Sequence, residues 1–341
     1  MVAYAGWSYD GFVVQDTVEN TIEKHLFEAL LKTMLIESRE TSNYHRCGRT
    51  DKGVSAFRQV ISIDLRSNQT SGLGIYIPDG HTVADQEFPI EEYNYANLLN
   101  RVLPQTIQIL AWAPVPNEFS SRFDCKRRVY RYYFPSSNLN IEAMRQACNY
   151  LVGQHDFRNF CKVDMYNNKV SHCVRDLYAA TITTPQNESR SRYDLCYLTI
   201  EASSFIWHQI RCIMTVLLLV GENKEKPDII RDLLNIKTQS SKPHYPLAMD
   251  APLVLHDCQF DDLDWKYDSY SVKRAMEKFC FKFLTIRKYS TAFHLFTVDE
   301  HHEALIPGNK SKNHIPLLKR HTGDSVEQKL KKSAKKAKLK L

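Results

Sequence analysis

The stretch "FIWHQIRCIMTVLLLVG", residues 205 to 221, constrains this chain more than any other. It is apolar nearly all the way round, so a helix there must be buried on several sides and not along one stripe. Gly221 is a natural stop for it. The longest apolar run, Ile213 to Val220, is far shorter than the roughly 20 residues that cross a bilayer, so the cover has to come from protein. One guanidinium, Arg211, sits inside the stretch. A cation in such surroundings needs either a route to the surface or a buried acid. Trp207 and His208 read as core or surface residues.

Strands are available to supply the cover. "YDLCYLTIEAS" (193–203) and "PLVLHDCQF" (252–260) flank the helix, and "RRVYRYYF" (127–134) alternates Tyr130, Tyr132 and Phe134 against Arg131 and Tyr133. Period 2 marks a half-buried strand. Ile141 to Val152 reads as a helix ended by Gly153, and Pro227 opens another. Upstream, residues 17–36 read as an amphipathic helix, with Val18, Ile22, Leu26, Leu30 and Met34 recurring every four residues. Ile61, Ile63 and Leu65 alternate with polar residues in a second strand, Tyr93 to Val102 suggests a short helix, and 105–115 suggests a strand. Residues 67–90 lack periodicity and read as a long surface loop. The order predicts an α+β protein of two sheet-plus-helix domains, 1–117 and 118–262. An extension over 263–328 and a disordered basic tail over 329–341 follow. "YAGWSYDGF" reads as half a strand and a turn, so an upstream segment is expected.

Net charge narrows the partners only once it is located. The chain carries +6, but the last thirteen residues hold seven lysines and no acid, and without them 38 basic residues face 39 acidic ones. A polyanion site must therefore be a local patch, and the tail serves either solubility, nuclear import or nonspecific RNA binding. The nine cysteines include no C-x-x-C pair, which argues for free thiols in a reducing compartment. Cys161, His172 and Cys173 are too few and too sparse for a zinc site. With no signal-peptide pattern, the expectation is a soluble intracellular protein with no membrane partner.

Two stretches could carry chemistry. "YHRCGRTDKGVSAFRQVISIDLRS" (44–67) places Asp51 between Gly48 and Gly53 and among Arg46, Arg49, Lys52 and Arg58. An aspartate in such a loop is commonly a turn or cap residue, while nearby arginines would keep it ionised if it were buried. "SSRFDCKRRVYRYYF" sets Arg122, Lys126, Arg127, Arg128 and Arg131 against one acid and interleaves them with aromatics. Cations for phosphates with flat rings for bases suit nucleic acid; an amphipathic strand with a polar outer face fits too. No nucleotide-binding glycine loop, hydrolase elbow or H-E-x-x-H pattern is present. Any chemistry would use acid, arginine and aromatic groups without cofactor or metal.

These residues resemble the TruA family of tRNA pseudouridine synthases. "GRTDKGVSAF" is similar to its G-R-T-D-x-G-V-x-A signature, "FSSRFDCKRRVYRYYF" to its R-F-x-A-x-x-R-x-Y-x-Y segment, "SSFIWHQIRCIM" to its arginine-bearing helix and "APLVL" to its late A-x-G-L-x-L strand. "NRVLPQTIQIL" matches the segment before the domain crossover. The likeness runs from about Tyr4 to Phe260, with an echo in "PLLKRHTGDSVEQKL". "TSNYHRCGRTDKGVSAF" with "RNFCKVD" is most similar to the eukaryotic branch acting on uridines 38 and 39 of the tRNA anticodon stem-loop. Departures are the short first strand, the longer 67–90 loop, Pro252 in place of glycine and Ser55 in place of histidine.

The resemblance implies a pseudouridine synthase fold with an active-site cleft between the two domains, and isomerisation of uridine with no cofactor. Asp51 would be the essential carboxylate, acting at C1′ or on the C2′ proton. Arg211 would hold Asp51 ionised, so that Arg211→Met folds but loses turnover. Tyr130 would stack on the base and relay a proton, with Leu253 packing opposite. The target base must be flipped out of its stem, and Arg49 would hold the displaced strand. Arg46, Lys52, Arg58, Arg122, Lys126, Arg127, Arg128 and Arg131 would meet the RNA backbone. The partners implied are tRNA and a second copy of the chain, in the nucleus, the cytoplasm or both. Competing readings are a sister activity on other tRNA or mRNA uridines, a noncatalytic RNA-binding protein, and a hydrolase using Asp51 as nucleophile.

Overall fold

The computed structural model describes residues 1–15, 17–78, 91–162, 173–185, 194–277, 314–329 and 331–332. Most of the expected extension, most of the basic tail and the second half of the 67–90 loop lie outside the described residues. From the N-terminus the elements are β1 (Val2–Tyr4), α1 (Ile22–Lys32), β2 (His45–Arg46), β3 (Ser55–Gln59) and β4 (Ile61–Ser62). Next come α2 (Tyr95–Asn100), β5 (Ile107–Ile109), β6 (Ala111–Trp112) and β7 (Arg127–Pro135). Then follow α3 (Ile141–Asn149), β8 (Gly153–Asp156), β9 (Val174–Thr183) and β10 (Leu195–Ala202). The chain continues through α4 (Gln209–Gly221), α5 (Ile229–Leu234), β11 (Leu253–Gln259) and β12 (Lys266–Tyr267). The result is the α+β class expected. No helix among the described residues is long and apolar enough to cross a membrane.

The chain forms two units. One holds residues 1–128 and takes the chain back from Val254 to the described end at 277; the other holds Val129–Leu253 and the described residues 314–332. The boundaries read from the sequence, 117/118 and 262/263, fall elsewhere. Residues 118–128 stay with the first unit, and 254–262 return to it. The cause is hydrogen bonding: Val254 and Leu255 pair in parallel with Ser55 and Ala56. The Lys126 N–H likewise donates to Gln259 O at 2.9 Å. A strand belongs where its ladder is satisfied, not where its chain neighbours are.

In the first unit the strand order is β5-β1-β3-β11. β1 lies antiparallel to both neighbours, with Val2 opposite Gln59 and Ile109. α1 starts later than the apolar spacing suggested. Thr21 is its N-cap and accepts from the Lys24 N–H at 3.4 Å, while Val18 sits in an isolated bridge with Gln15. Its buried residues include Ile22, Leu26, Phe27, Ala29 and Leu30, the stripe an amphipathic helix needs. The strand expected at Ile61, Ile63 and Leu65 shifts to β3 and β4. There Ser62, not its isoleucine neighbours, is buried, because its hydroxyl accepts from the Ser121 N–H at 3.0 Å.

In the second unit the order is β7-β10-β9-β8, with β9 antiparallel to β10 and β8. Tyr130, Tyr132 and Phe134 of β7 are buried as the alternation predicts, and Arg131 and Tyr133 are half-buried. Every residue of α4 except Arg211 is buried. Each fully buried leucine, isoleucine or valine there contributes about 1.5–3 kcal/mol relative to exposure, which makes α4 the centre of this unit's core. Gly221 is the last residue of α4 and does more than stop it. A Cβ there would lie 2.6 Å from Met144 Sδ of α3, so its missing side chain lets the two helices approach. α3 ends at Asn149, and Gly153 opens β8 with a φ of +102°.

Candidate active site

Asp51 stands on a loop whose backbone is tied down on both sides. On its N-terminal side, the Cys47 N–H donates to Val60 O at 2.9 Å. The buried Gln59 amide both accepts from the Gly48 N–H (3.1 Å) and donates to Gly48 O (3.0 Å). Around the acid, Thr50 O accepts from the Phe12 N–H and Asp51 O from the Val54 N–H, each at 3.1 Å. The Thr50 hydroxyl shares a 2.7 Å hydrogen bond with Tyr4 Oη. Gly53 takes a left-handed φ of +78° and donates to Tyr9 O. Gly48, on the other side of Asp51, does not take that conformation. A further glycine sets the fit: the Gly6 N–H donates to Ser55 Oγ at 2.9 Å, and a Cβ on Gly6 would lie 1.9 Å from Val54 O. Asp51 itself is half-buried, beside an exposed Arg49.

The second unit holds Tyr130, Arg211 and Leu253. Tyr130 is buried, its ring edge-on to Phe205 at 5.2 Å and 84°. Leu253 is buried at the start of β11, its N–H donating to Asp250 O at 2.9 Å. Arg211 keeps only 13% of its side chain exposed; its Nε donates to Ala248 O at 2.7 Å and its Nη2 lies 3.7 Å from the Asp250 carboxylate. The acid that the buried guanidinium needed is thus present in its own unit, and its burial does not require Asp51. Tyr132 is completely buried, and its hydroxyl has no hydrogen-bond partner among the described residues. Burial pushes its pKa up, against the pull of Arg211 and with the push of Asp250.

The cations expected to meet RNA divide into two groups. Arg128 is buried and donates to the carbonyls of Cys47 (3.1 and 3.0 Å), Cys125 (3.4 Å) and Arg122 (2.8 Å). Arg46 is paired at 2.8 Å with Glu23, whose side chain is fully buried and which Arg39 also contacts. These two are committed internally because a buried carboxylate and orphan carbonyls would otherwise be unmatched. Arg122 and Lys126 are exposed, and Lys126 lies 3.2 Å from Asp261. Lys52 pairs with Asp10 at 2.6 Å while remaining 75% exposed. Arg58 contacts Asp257 at 3.3 Å and Tyr267 Oη at 3.2 Å. Arg127 is half-buried, and the guanidinium of half-buried Arg131 lies 4.6 Å from the centre of the Tyr197 ring.

Sequence reasoning missed Asp250, although the demand of Arg211 for a buried acid was its signal. Trp207 is 45% exposed with Lys162 Nζ 4.2 Å over its ring, and His208 caps α4 with a left-handed φ of 64°. Burial and the charges of Arg211, Lys162 and Lys242 hold the His208 imidazole down at a pKa of about 4, so it is neutral at physiological pH. Cys161 and Cys173 are buried, and His172 lies outside the described residues.

A family model described as tRNA pseudouridine synthase matches residues 147–261. The tRNA pseudouridine(38/39) synthase of Homo sapiens is 48% identical over 271 residues, covering 78% of this chain and 56% of the human protein. A probable tRNA pseudouridine synthase of Caenorhabditis elegans is 42% identical over 283 residues, 80% of this chain and 70% of that one. The tRNA pseudouridine synthase A of Methanosarcina mazei is 31% identical over 280 residues, 81% of this chain and 90% of its own length. The chain therefore spans a little over half the length of the human relative and most of the length of the archaeal one.

Proposed function

Because the chain belongs to the tRNA pseudouridine synthase family, we propose that it isomerises uridine to pseudouridine in tRNA, at positions 38 and 39 of the anticodon stem-loop. The observation that carries this reading is the loop around Asp51, a carboxylate whose backbone is hydrogen-bonded on both sides. A group that must meet one sugar carbon gains rate from being held in place before the substrate arrives. The reaction cleaves the bond from C1′ to N1, turns the uracil, and rejoins it through C5. It needs a carboxylate to take up the developing charge at C1′ or to remove the C2′ proton, as carboxylates do in glycoside chemistry. Asp51 is assigned that work.

Tyr130 and Leu253 supply flat and apolar surface for a base that must rotate without escaping, and Phe205 sets the Tyr130 ring on edge. Arg211 positions this group through Ala248 O and Asp250. Delivery of the uridine by base flipping costs a few kcal/mol, offset by phosphate contacts from exposed cations such as Arg49, Arg122 and Lys126. The reading includes a homodimer, acting in the nucleus, the cytoplasm or both.

The test is to incubate the purified chain and Asp51→Asn with unmodified tRNA transcripts and map pseudouridine at single-nucleotide resolution. Pseudouridine at 38 or 39 that falls by about a hundred- to ten-thousand-fold in the variant, with an unchanged melting temperature, is the expected result. Modification elsewhere discards the positions and keeps the reaction. Tight tRNA binding with no modification by the wild type replaces the enzyme with an RNA-binding protein.

A further inference from the structure

Three cysteines far apart in sequence meet inside the first unit. Cys47, four residues before Asp51, Cys125, two residues before β7, and Cys258, in β11, are all buried, and their sulfur atoms lie within 4.8 Å of one another. Each is carried on backbone that is already hydrogen-bonded. Cys47 donates to Val60 O, and the next residue along from Cys125, Lys126, donates to the next residue along from Cys258, Gln259. Three thiols converging on one point are an unusual use of core volume, because an aliphatic side chain fills such space without polar atoms.

A second feature accompanies them. The buried Arg128 guanidinium lies against this cluster, donating to the carbonyls of both Cys47 and Cys125. Negative charge beside a buried guanidinium is stabilised by it. Three thiolates around a divalent ion carry one net negative charge and around a monovalent ion two, and the smaller charge is the less costly to bury.

We propose that Cys47, Cys125 and Cys258 form a thiolate site for one zinc ion. Binding takes up the ion and releases three thiol protons to solvent; no oxidant or reductant is involved. Zinc–sulfur bonds of about 2.3 Å at tetrahedral angles place sulfurs about 3.8 Å apart, so side-chain rotation and small shifts bring the three thiols onto the ion. Three protein ligands leave a fourth position for water, and among the described residues no fourth His, Cys, Asp or Glu joins the cluster. The ion ties the stem of the Asp51 loop to β11 and to the segment entering β7. Its role is structural, and the site is independent of whether Asp51 performs the proposed isomerisation.

The experiment uses the full chain purified under reducing conditions without chelator. Elemental mass spectrometry is expected to find about one zinc per chain, and cobalt(II) exchanged into the protein to show thiolate-to-metal charge-transfer absorption. Both signals should vanish in Cys125→Ser and Cys258→Ser and persist in Cys148→Ser, which alters a buried thiol of α3 in the other unit. If the serine variants do not fold, chelation of the wild type provides the reading. Removing the metal should lower the melting temperature, and zinc should restore it. Substoichiometric metal with no cobalt absorption overturns the site, as does a disulfide between any two of the three cysteines in the reduced preparation. Stoichiometric copper(I) in place of zinc overturns the choice of ion.

Discussion

The loop of Asp51 and the group around Arg211 are held in opposite ways. The loop is held by its own backbone: its peptide groups bond those of Phe12 and Tyr9 and the side-chain amide of Gln59, and Gly6 approaches so closely that no Cβ fits. Side chains hold the other group, through the Phe205 edge on Tyr130 and the reach of Arg211 to Ala248 O and Asp250. A loop held by backbone tolerates changes at its side chains and fails when atoms are added at its glycines. A group held by side chains fails when atoms are removed.

The sharpest way to break this comparison is Gly6→Ala. Its added carbon meets a carbonyl oxygen and not the end of a flexible side chain, so the loop must move. The expected cost is about 4 kcal/mol or more, seen as a collapse in melting temperature together with activity. A stable, active variant would show that the loop does not depend on that approach.

Arg211→Met comes next. The sequence alone predicted a folded protein without turnover, but the structure adds a stability cost, because Asp250 and Ala248 O lose their partner. Leaving Ala248 O unmatched, with a smaller loss at the partly exposed Asp250, costs about 1–3 kcal/mol, measurable by denaturant unfolding alongside tRNA modification. Arg211→Met/Asp250→Asn should then be less destabilised than the sum of its single variants; strict additivity would uncouple the pair.

A smaller effect depends on pH. Burial pushes the Glu23 carboxyl up, but hydrogen bonds from Arg39 and the Val14 N–H and the charge of Arg46 outweigh it and leave its pKa below the ordinary 4.5. A depressed carboxylate contributes stability that is present above its unfolded pKa and is lost as pH falls through its folded one. The wild type should therefore weaken below pH 4.5 more steeply than Glu23→Gln, by urea midpoints measured across that range. Equal slopes would remove Glu23 from the acid response. The smallest change expected is Lys52→Ala, whose ion pair with Asp10 is largely exposed. It should cost about 0–1 kcal/mol and leave the Asp51 loop in place, as amide hydrogen exchange at Gly53 and Val54 would report.

The same contrast explains what could be read in advance. The apolar face of α4 and the alternation of β7 depend on neighbours in sequence, so their burial was legible. Asp51 stood out because glycines and cations surround it within a few residues. Asp250, the commitment of Arg46 to Glu23 and of Arg128 to carbonyls, and the meeting of Cys47, Cys125 and Cys258 depend on tertiary approach, for which spacing carries no signal. The strand expected at Ile61 to Leu65 failed for a related reason. A serine pair, Ser62 with Ser121, takes the buried place that hydrophobic alternation assigned to isoleucine.

The pairing of Val254 with Ser55 also has a consequence in time. Contacts this distant in sequence close late, because loop entropy opposes them until both partners exist. On a ribosome, β3 emerges long before β11, and everything from Val129 to Leu253 is synthesised in between. That inserted unit has its own helices and strands, and its sheet can form from this one segment before residues 314–332 join the unit. The unit carrying Asp51 cannot, since its sheet lacks an edge partner until Gln259 has left the tunnel. A nascent chain stalled before β11 thus presents β3 as an open edge to whatever chaperone or neighbouring chain reaches it first.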